Sequence, residues 1–261
     1  MQKQITLKED LDMNFKWTTN FYFGLFISFF ALMLSSCKKE NRCDCIKRTG
    51  DIIQETRDIS GFTQIQTEEN VNVFITQDSV SKVIVEAGEN IVPLITTKVV
   101  GNTLICGNRN RCNWTRSYKK PLNIYVHLPK LTLLEAAGTG NVKSTNTIYT
   151  EGLYISAVNS GNVEMTIQAN QLTTSMHGNV DLTLHGYTHN HDCNVQGTAY
   201  LLADDLQTHY TYIHSTSLGQ CYVNVTDLLI CSLDLKGDVF CYGNPKTVDY
   251  KYSNTGRLYL R

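Results

Sequence analysis

The sequence predicts an all-β fold, a parallel β-helix (β-solenoid) with turns of about 19 residues. Three observations predict it. Gly-Asn-Val stands at 140–142, 161–163 and 178–180, and the Gly returns at Gly197, Gly219, Gly237 and Gly256, at intervals of 21, 17, 19, 22, 18 and 19 residues. A period in this range marks turns too thin to bury a core alone, which stack to share one. Second, the residues two and four places after each Gly, and six and four places before it, are mostly small or aliphatic, and side chains two apart on a strand share a face. Third, no segment carries a sustained helical period.

Aligned on the Gly, four columns run up the predicted stack. Two places after it stand Val142, Val163, Val180, Ala199, Cys221, Val239 and Leu258. Four places after it stand Ser144, Met165, Leu182, Leu201, Val223, Cys241 and Leu260. Six before are Leu134, Ile155, Leu172, His191, Ile213, Cys231 and Tyr250, and four before are Ala136, Ala157, Thr174, Cys193, Ser215, Leu233 and Tyr252. Each turn therefore reads as two short strands around a Gly corner. Tyr250 and Tyr252 are bulkier than their columns and read as a cap on the last turn.

The N-terminus reads as an address. Phe21 to Leu34 is an apolar run of 14 residues, short for a bilayer span and the size of a signal-peptide core. Lys16 precedes it, and Met13 makes a more ordinary start than Met1, because Met1 to Asp12 adds three acidic residues to a region that is normally basic. Leu34-Ser35-Ser36-Cys37 resembles a bacterial lipobox, with Cys37 the lipidated residue. Residues 1–36 then form a lipoprotein-type signal peptide and 37–58 a lipidated tether. The membrane is the expected partner through the acyl chains. Lys38, rather than Asp, follows the Cys. By resemblance to lipoprotein sorting this implies the outer membrane, with the periplasmic and outer faces both open. The formal net charge of the 261-residue chain is −1, so bulk charge gives no reason to expect nucleic acid.

Beyond the tether, residues 59–261 read as the solenoid, with 59–130 less regular and the repeats running over 131–261. Val71, Val73 and Ile75, then Val83 and Val85, then Val99 to Ile105 alternate as strands on a half-buried sheet. Gly101-Asn102 reads as a hairpin turn. Leu122 to Leu128 alternates again and stops at Pro129.

Gly61-Phe62, Asn70-Val71-Asn72-Val73-Phe74-Ile75-Thr76-Gln77, Val83-Ile84-Val85-Glu86-Ala87, Gly101-Asn102-Thr103-Leu104-Ile105, Tyr125-Val126-His127-Leu128-Pro129 and the Gly-Asn-Val turns, in this order, resemble the DUF2807 family, also called "putative auto-transporter adhesin, head GIN domain". The resemblance spans about Ile59 to Leu260. It implies a β-helix in a Bacteroidetes-type envelope protein and carries over no catalytic residue. The nine Cys and the weakened Gly motifs after Gly178 depart from the family pattern.

Candidate sites follow from residue types. His189, His191 and Cys193 alternate, so on one strand they would share a face, and imidazole and thiolate are good zinc ligands. Against this, His191 and Cys193 fall in inward columns, which makes them packing residues; the expectation is no metal and no cofactor. Cys106 and Cys112 are the local candidates for a disulfide, which an exported protein permits. Asn141, Asn162 and Asn179 follow the Gly in one column and read as a structural ladder. Arg109, Arg111, Trp114, Arg116, Tyr118, Lys119 and Lys120 form a basic-aromatic cluster, the candidate binding loop for an anionic glycan or a protein. Glu164, Asp181, Asp192, Asp204 and Asp205 do not align as the paired carboxylates of a glycosidase. The function expected is a lipid-anchored, non-catalytic envelope protein with adhesin-like binding of glycan or protein. The alternatives are a structural envelope component and a carbohydrate-active β-helix enzyme. Homodimers through stacked solenoid ends are a further expectation.

Overall fold

A computed structural model describes residues 48–110, 120–159 and 161–261 of the chain. Four strands come first: β1 (Ile52–Arg57), β2 (Gln64–Thr67), β3 (Asn72–Gln77) and β4 (Lys82–Gly88). A single 3-10 turn, Val92–Leu94 with Pro93 inside it, leads to β5 (Ile95–Val100) and β6 (Thr103–Asn108). Then come β7 (Asn123–Leu128), β8 (Leu133–Ala136), β9 (Val142–Ser144), β10 (Ile148–Asn159), β11 (Val163–Gly178), β12 (Asp181–Gly197), β13 (Tyr200–Ser217), β14 (Cys221–Leu233), β15 (Val239–Tyr242), β16 (Thr247–Tyr252) and β17 (Leu258–Leu260).

From β8 onward each turn lies parallel on the next, giving the β-solenoid that the Gly repeat predicts. Alternation makes the strands, and one skipped step makes the second corner. In β11, Val163, Met165, Ile167 and Ala169 face in; Asn170 and Gln171 both face out; Leu172, Thr174 and Met176 face in again. The same skip falls at His189-Asn190 in β12 and at His209-Tyr210 in β13. Each long strand therefore bends around the core. One wall precedes the Gly corner and the other follows it.

The core is a set of stacked columns. In the second wall Val73, Val142, Val163, Leu182, Leu201, Cys221, Val239 and Leu258 lie in register. In the first wall the column is Ile65, Leu134, Ile155, Thr174, Cys193, Ile213, Cys231 and Tyr250. Most of these side chains are fully buried, and each buried aliphatic one contributes roughly 1.5–3 kcal/mol.

This register corrects the sequence columns in two turns. Aligned on Gly178 and Gly197, Leu172, Thr174, Val180 and Leu182 and their counterparts His191, Cys193, Ala199 and Leu201 are each assigned two places from their true column. Gly178 stacks on Asn159, and Gly197 on Gly178, both at positive φ of +97° and +84°. The other column is Gly140, Gly161, Val180, Ala199, Gly219, Gly237 and Gly256. There a Cβ on Gly140 would stand 1.9 Å from the Val71 carbonyl oxygen, and one on Gly219 2.0 Å from that of Ala199. The Gly therefore permits close stacking of turns. The odd intervals of 17 and 22 residues mark the switch between the two columns.

The N-terminal part is threaded out of chain order. β2 and β3 pair in parallel with β6 and β7 on one side and with β8 and β9 on the other. Residues 64–77 thus form a turn intercalated between β6 and β7 on one side and β8 and β9 on the other. Beyond β6 and β7 the pairing becomes antiparallel: β5 on β6 through the Gly101 hairpin, β4 on β7, and β1 on β4. These strands close that end of the stack against edge pairing.

Candidate functional site

Of the basic-aromatic cluster, Arg109 and Lys120 are described; Arg111, Trp114, Arg116, Tyr118 and Lys119 lie outside the described residues, as do Cys37 and Cys112. The Arg109 N–H donates to the Leu94 carbonyl at 2.9 Å. Lys120 Nζ donates to the Gly50 carbonyl, so its charge is committed there. Arg109 and Lys98 line an open groove of about 540 Å³ with Arg57 and Glu68. Arg57 is already committed: Nη1 donates to the Ile95 carbonyl at 2.8 Å and to Thr97 Oγ1 at 2.9 Å, and Nε pairs with Glu55 at 2.7 Å. Arg109 and Lys98 supply the cationic character here. Cys106 is a buried free thiol, pushed up to about 12 by burial.

His189, His191 and Cys193 do not share a face. The corner skip at His189-Asn190 turns His189 outward while His191 and Cys193 point into the core. His191 Nε2 and Thr174 Oγ1 form a hydrogen bond at 2.9 Å; Nδ1 is buried without a partner. Burial holds this imidazole neutral, its pKa lowered to about 4, and pushes the Cys193 thiol up to about 12. Among the described residues no three His, Cys, Asp or Glu side chains are placed to hold a metal ion. His189 instead joins an outward corner, its ring 5.0 Å from His209 and 5.2 Å from Tyr210. His209 Nδ1 contacts Asp227, which also accepts from Lys246. The Lys246 and His209 hydrogen bonds draw the Asp227 carboxyl down to about 2.

The Asn column is a ladder from side chain to backbone. The Asn141 N–H donates to Asn72 Oδ1 at 3.1 Å, and the Asn162 N–H to Asn141 Oδ1 at 3.3 Å. Asn179 stands apart because its turn follows the other Gly column: its N–H donates to the Asn159 carbonyl at 2.8 Å, and its Oδ1 accepts from Thr198 at 3.3 Å. The carboxylates are dispersed, Glu164 with Lys143 at 2.9 Å and Asp205 with His185 at 3.4 Å.

Sequence reasoning missed a trough on the outer face of the first wall. Tyr154, Thr173, Asp192 and Tyr212 occupy one outward column on four successive turns. Ser175, Asn194, His214 and Ser232 form the column beside it. Together with Ile230 they line an open trough of about 500 Å³, in which polar side chains and apolar surface lie between two tyrosines. Tyr154 and Tyr212 are 39% and 38% exposed. Among the lining residues Asp192 is the one carboxylate, and it accepts from Gln171 Nε2 at 2.7 Å. A signal was present: Tyr154 and Tyr212 each precede a corner Gly, Gly161 and Gly219, by seven residues.

The model of DUF2807, "Putative auto-transporter adhesin, head GIN domain", matches residues 61–245. Among solved structures, a "putative adhesin" of Bacteroides fragilis superposes with a TM-score of 0.77 at 20% identity, covering 82% of this chain and 100% of that one. A "putative lipid binding protein" of Parabacteroides distasonis has a TM-score of 0.63 at 20% identity, covering 82% and 100%. A "putative adhesin" of Parabacteroides merdae has a TM-score of 0.60 at 16% identity, covering 82% and 98%. At these identities the likeness is one of fold. No curated protein matches the chain.

Proposed function

The chain belongs to the DUF2807 family, and from that premise we propose that it is a lipid-anchored envelope protein whose β-solenoid binds glycan or protein without catalysis. The observation that carries this reading is the outer surface. Register locks side chains from successive turns into columns about 4.8 Å apart, so exposed tyrosines and uncommitted hydrogen-bonding groups form a rigid extended face. The described core offers no activated nucleophile: its thiols are raised far above neutral pH and its imidazole is held neutral. Anchoring rests on Leu34 to Cys37, with the outer membrane as destination; the tether is shorter than the 37–58 read from sequence, because Ile52–Arg57 is strand β1, paired with β4. No helix among the described residues is long and apolar enough to cross a membrane.

Metabolic labelling of the lipid with protease shaving of intact cells tests this. The expected result is label on the protein, lost in a Cys37→Ala variant. Unlabelled, freely soluble protein after export would sink the anchored reading. Digestion in whole cells places the solenoid outside; protection until lysis places it in the periplasm and moves weight to a structural role in the envelope. One observation favours such an assembly role. β16 and β17 each pair on one side only, with β14 and β15, and Tyr252 at the end of β16 is 66% exposed. Light scattering of the soluble form tests end-to-end dimers; a monomer at high concentration removes that reading.

A further inference from the structure

We propose that the trough between Tyr154 and Tyr212 is a binding site for a neutral oligosaccharide lying along the solenoid axis. This rests on the reading of the chain as a binding protein and names the ligand class and the place. Three features carry it.

The first is spacing. Tyr154 and Tyr212 are three turns apart in one column, which at inter-strand spacing is about 14 Å. That exceeds a single sugar ring and suits a short chain, whose terminal rings would lie against the two aromatic faces. Pyranose rings present C–H groups to such faces and hydroxyls around their edges, the amphipathic match that tyrosine offers.

The second is unspent polar capacity. The hydroxyls of Tyr154, Thr173, Ser175, Tyr212 and Ser232 make no hydrogen bond to the described residues. Asp192 is oriented by Gln171 at 2.7 Å and leaves further lone pairs for ligand hydroxyls. A dense set of donors and acceptors on a rigid sheet is what sugar hydroxyls require.

The third is what the trough disfavours. No Lys or Arg lines it, and Asp192 places a carboxylate in its floor. The one basic side chain there, His214, faces Asp234 at 3.8 Å, so an anionic glycan would meet repulsion without a free compensating cation. An extended peptide binds by adding to a strand edge, whereas the backbone groups under this trough are already paired in the parallel ladders of β10 to β14.

The test is binding of the folded protein, tether and solenoid, to an immobilised series of neutral and acidic oligosaccharides from disaccharide to hexasaccharide. Neutral members longer than a disaccharide are expected to bind, and monosaccharides are expected not to compete. Tyr154→Ala and Tyr212→Ala should each weaken binding roughly fivefold to tenfold, and at about 14 Å apart their losses should multiply in the double variant. Both side chains are well exposed, so circular dichroism should show the fold unchanged. Tyr149→Ala, exposed away from this trough, should bind as the parent does. Binding of none of the neutral series, preference for acidic members or for peptides, or unchanged binding by the tyrosine variants would overturn the proposal. Those outcomes leave the anchored binding protein standing, because its own test is lipid labelling and shaving.

Discussion

His191 is the residue where packing and charge conflict most directly. It stands in the column Leu172, His191, Thr211, Leu229, with one ring nitrogen bonded and the other buried without a partner. Its pKa falls from the ordinary 6.5 to about 4 by burial. Between those values the unfolded chain binds a proton that the folded chain refuses. Stability therefore rises with pH across this window and is lost as pH falls from 6.5 toward 4, by about 3 kcal/mol. Thermal melts from pH 4 to 7 should show this slope, and His191→Leu should flatten it, because Leu has no nitrogen to titrate in either the folded or the unfolded chain. An unchanged slope in the variant would assign the acid sensitivity to another group. The buried thiols give a second prediction at this scale. Cys193, Cys221, Cys231 and Cys241 are buried and free, and burial raises each thiol. Thiolate is the reactive form. Iodoacetamide at pH 8 should leave these four unmodified in the native protein and label them in denaturant, read by peptide mass mapping. The shared face expected for His189, His191 and Cys193 is absent for a reason that residue types alone do not contain. Alternation predicts a shared face only while the strand runs straight, and the bend at His189-Asn190 reverses one member.

The glycine corner shows what the sequence expresses about elements. Gly140, Gly161, Gly219, Gly237 and Gly256 reveal the turn length because the backbone of the neighbouring turn leaves no room for a Cβ. Gly178 and Gly197 look like members of the same series but serve a different need, a positive φ two residues earlier in the turn. One residue type thus marks two columns, and an alignment on glycine alone slips by two places where they exchange. The trough was hidden by the same ambiguity. Its tyrosines are visible at a fixed offset from Gly161 and Gly219, but the turns between them carry Val180 and Ala199 at the corner, so its floor could not be aligned. The two needs separate by mutation. Gly140→Ala forces an atom to within 1.9 Å of the Val71 carbonyl and should cost more than about 2 kcal/mol in chemical denaturation. Gly101→Ala meets nothing within 4 Å and requires only φ of +61°, a cost of about 1–2 kcal/mol. The reverse order would mean that the stacked turns relax apart freely.

At the scale of the molecule, the repeats predicted a one-dimensional stack in which each turn touches its chain neighbours. β8 to β17 obey that rule. The intercalated turn of β2 and β3 does not, and no local signal announces it: Val71 lies against Gly140, 69 residues away, and nothing in either segment encodes the partner. The consequence is a protection pattern that differs from chain order. In a sequential solenoid residues 64–77 would form an outer turn and exchange early, like any terminal repeat. Here they are paired on both sides, by β6 and β7 and by β8 and β9, and Ile65, Val73 and Ile75 are fully buried. Hydrogen exchange should therefore find the amides of β2 and β3 protected as strongly as those of β12, which is paired along its length by β11 and β13. β1 and β5, each with one antiparallel partner, and β16 and β17, each with one parallel partner, should exchange sooner. Exchange of 64–77 at the rate of β1 would show that the turn sits at the end of the stack. It would also remove the mechanical link by which this threading ties β6 and β7 to the turns that begin at Leu133, since the two meet through β2 and β3.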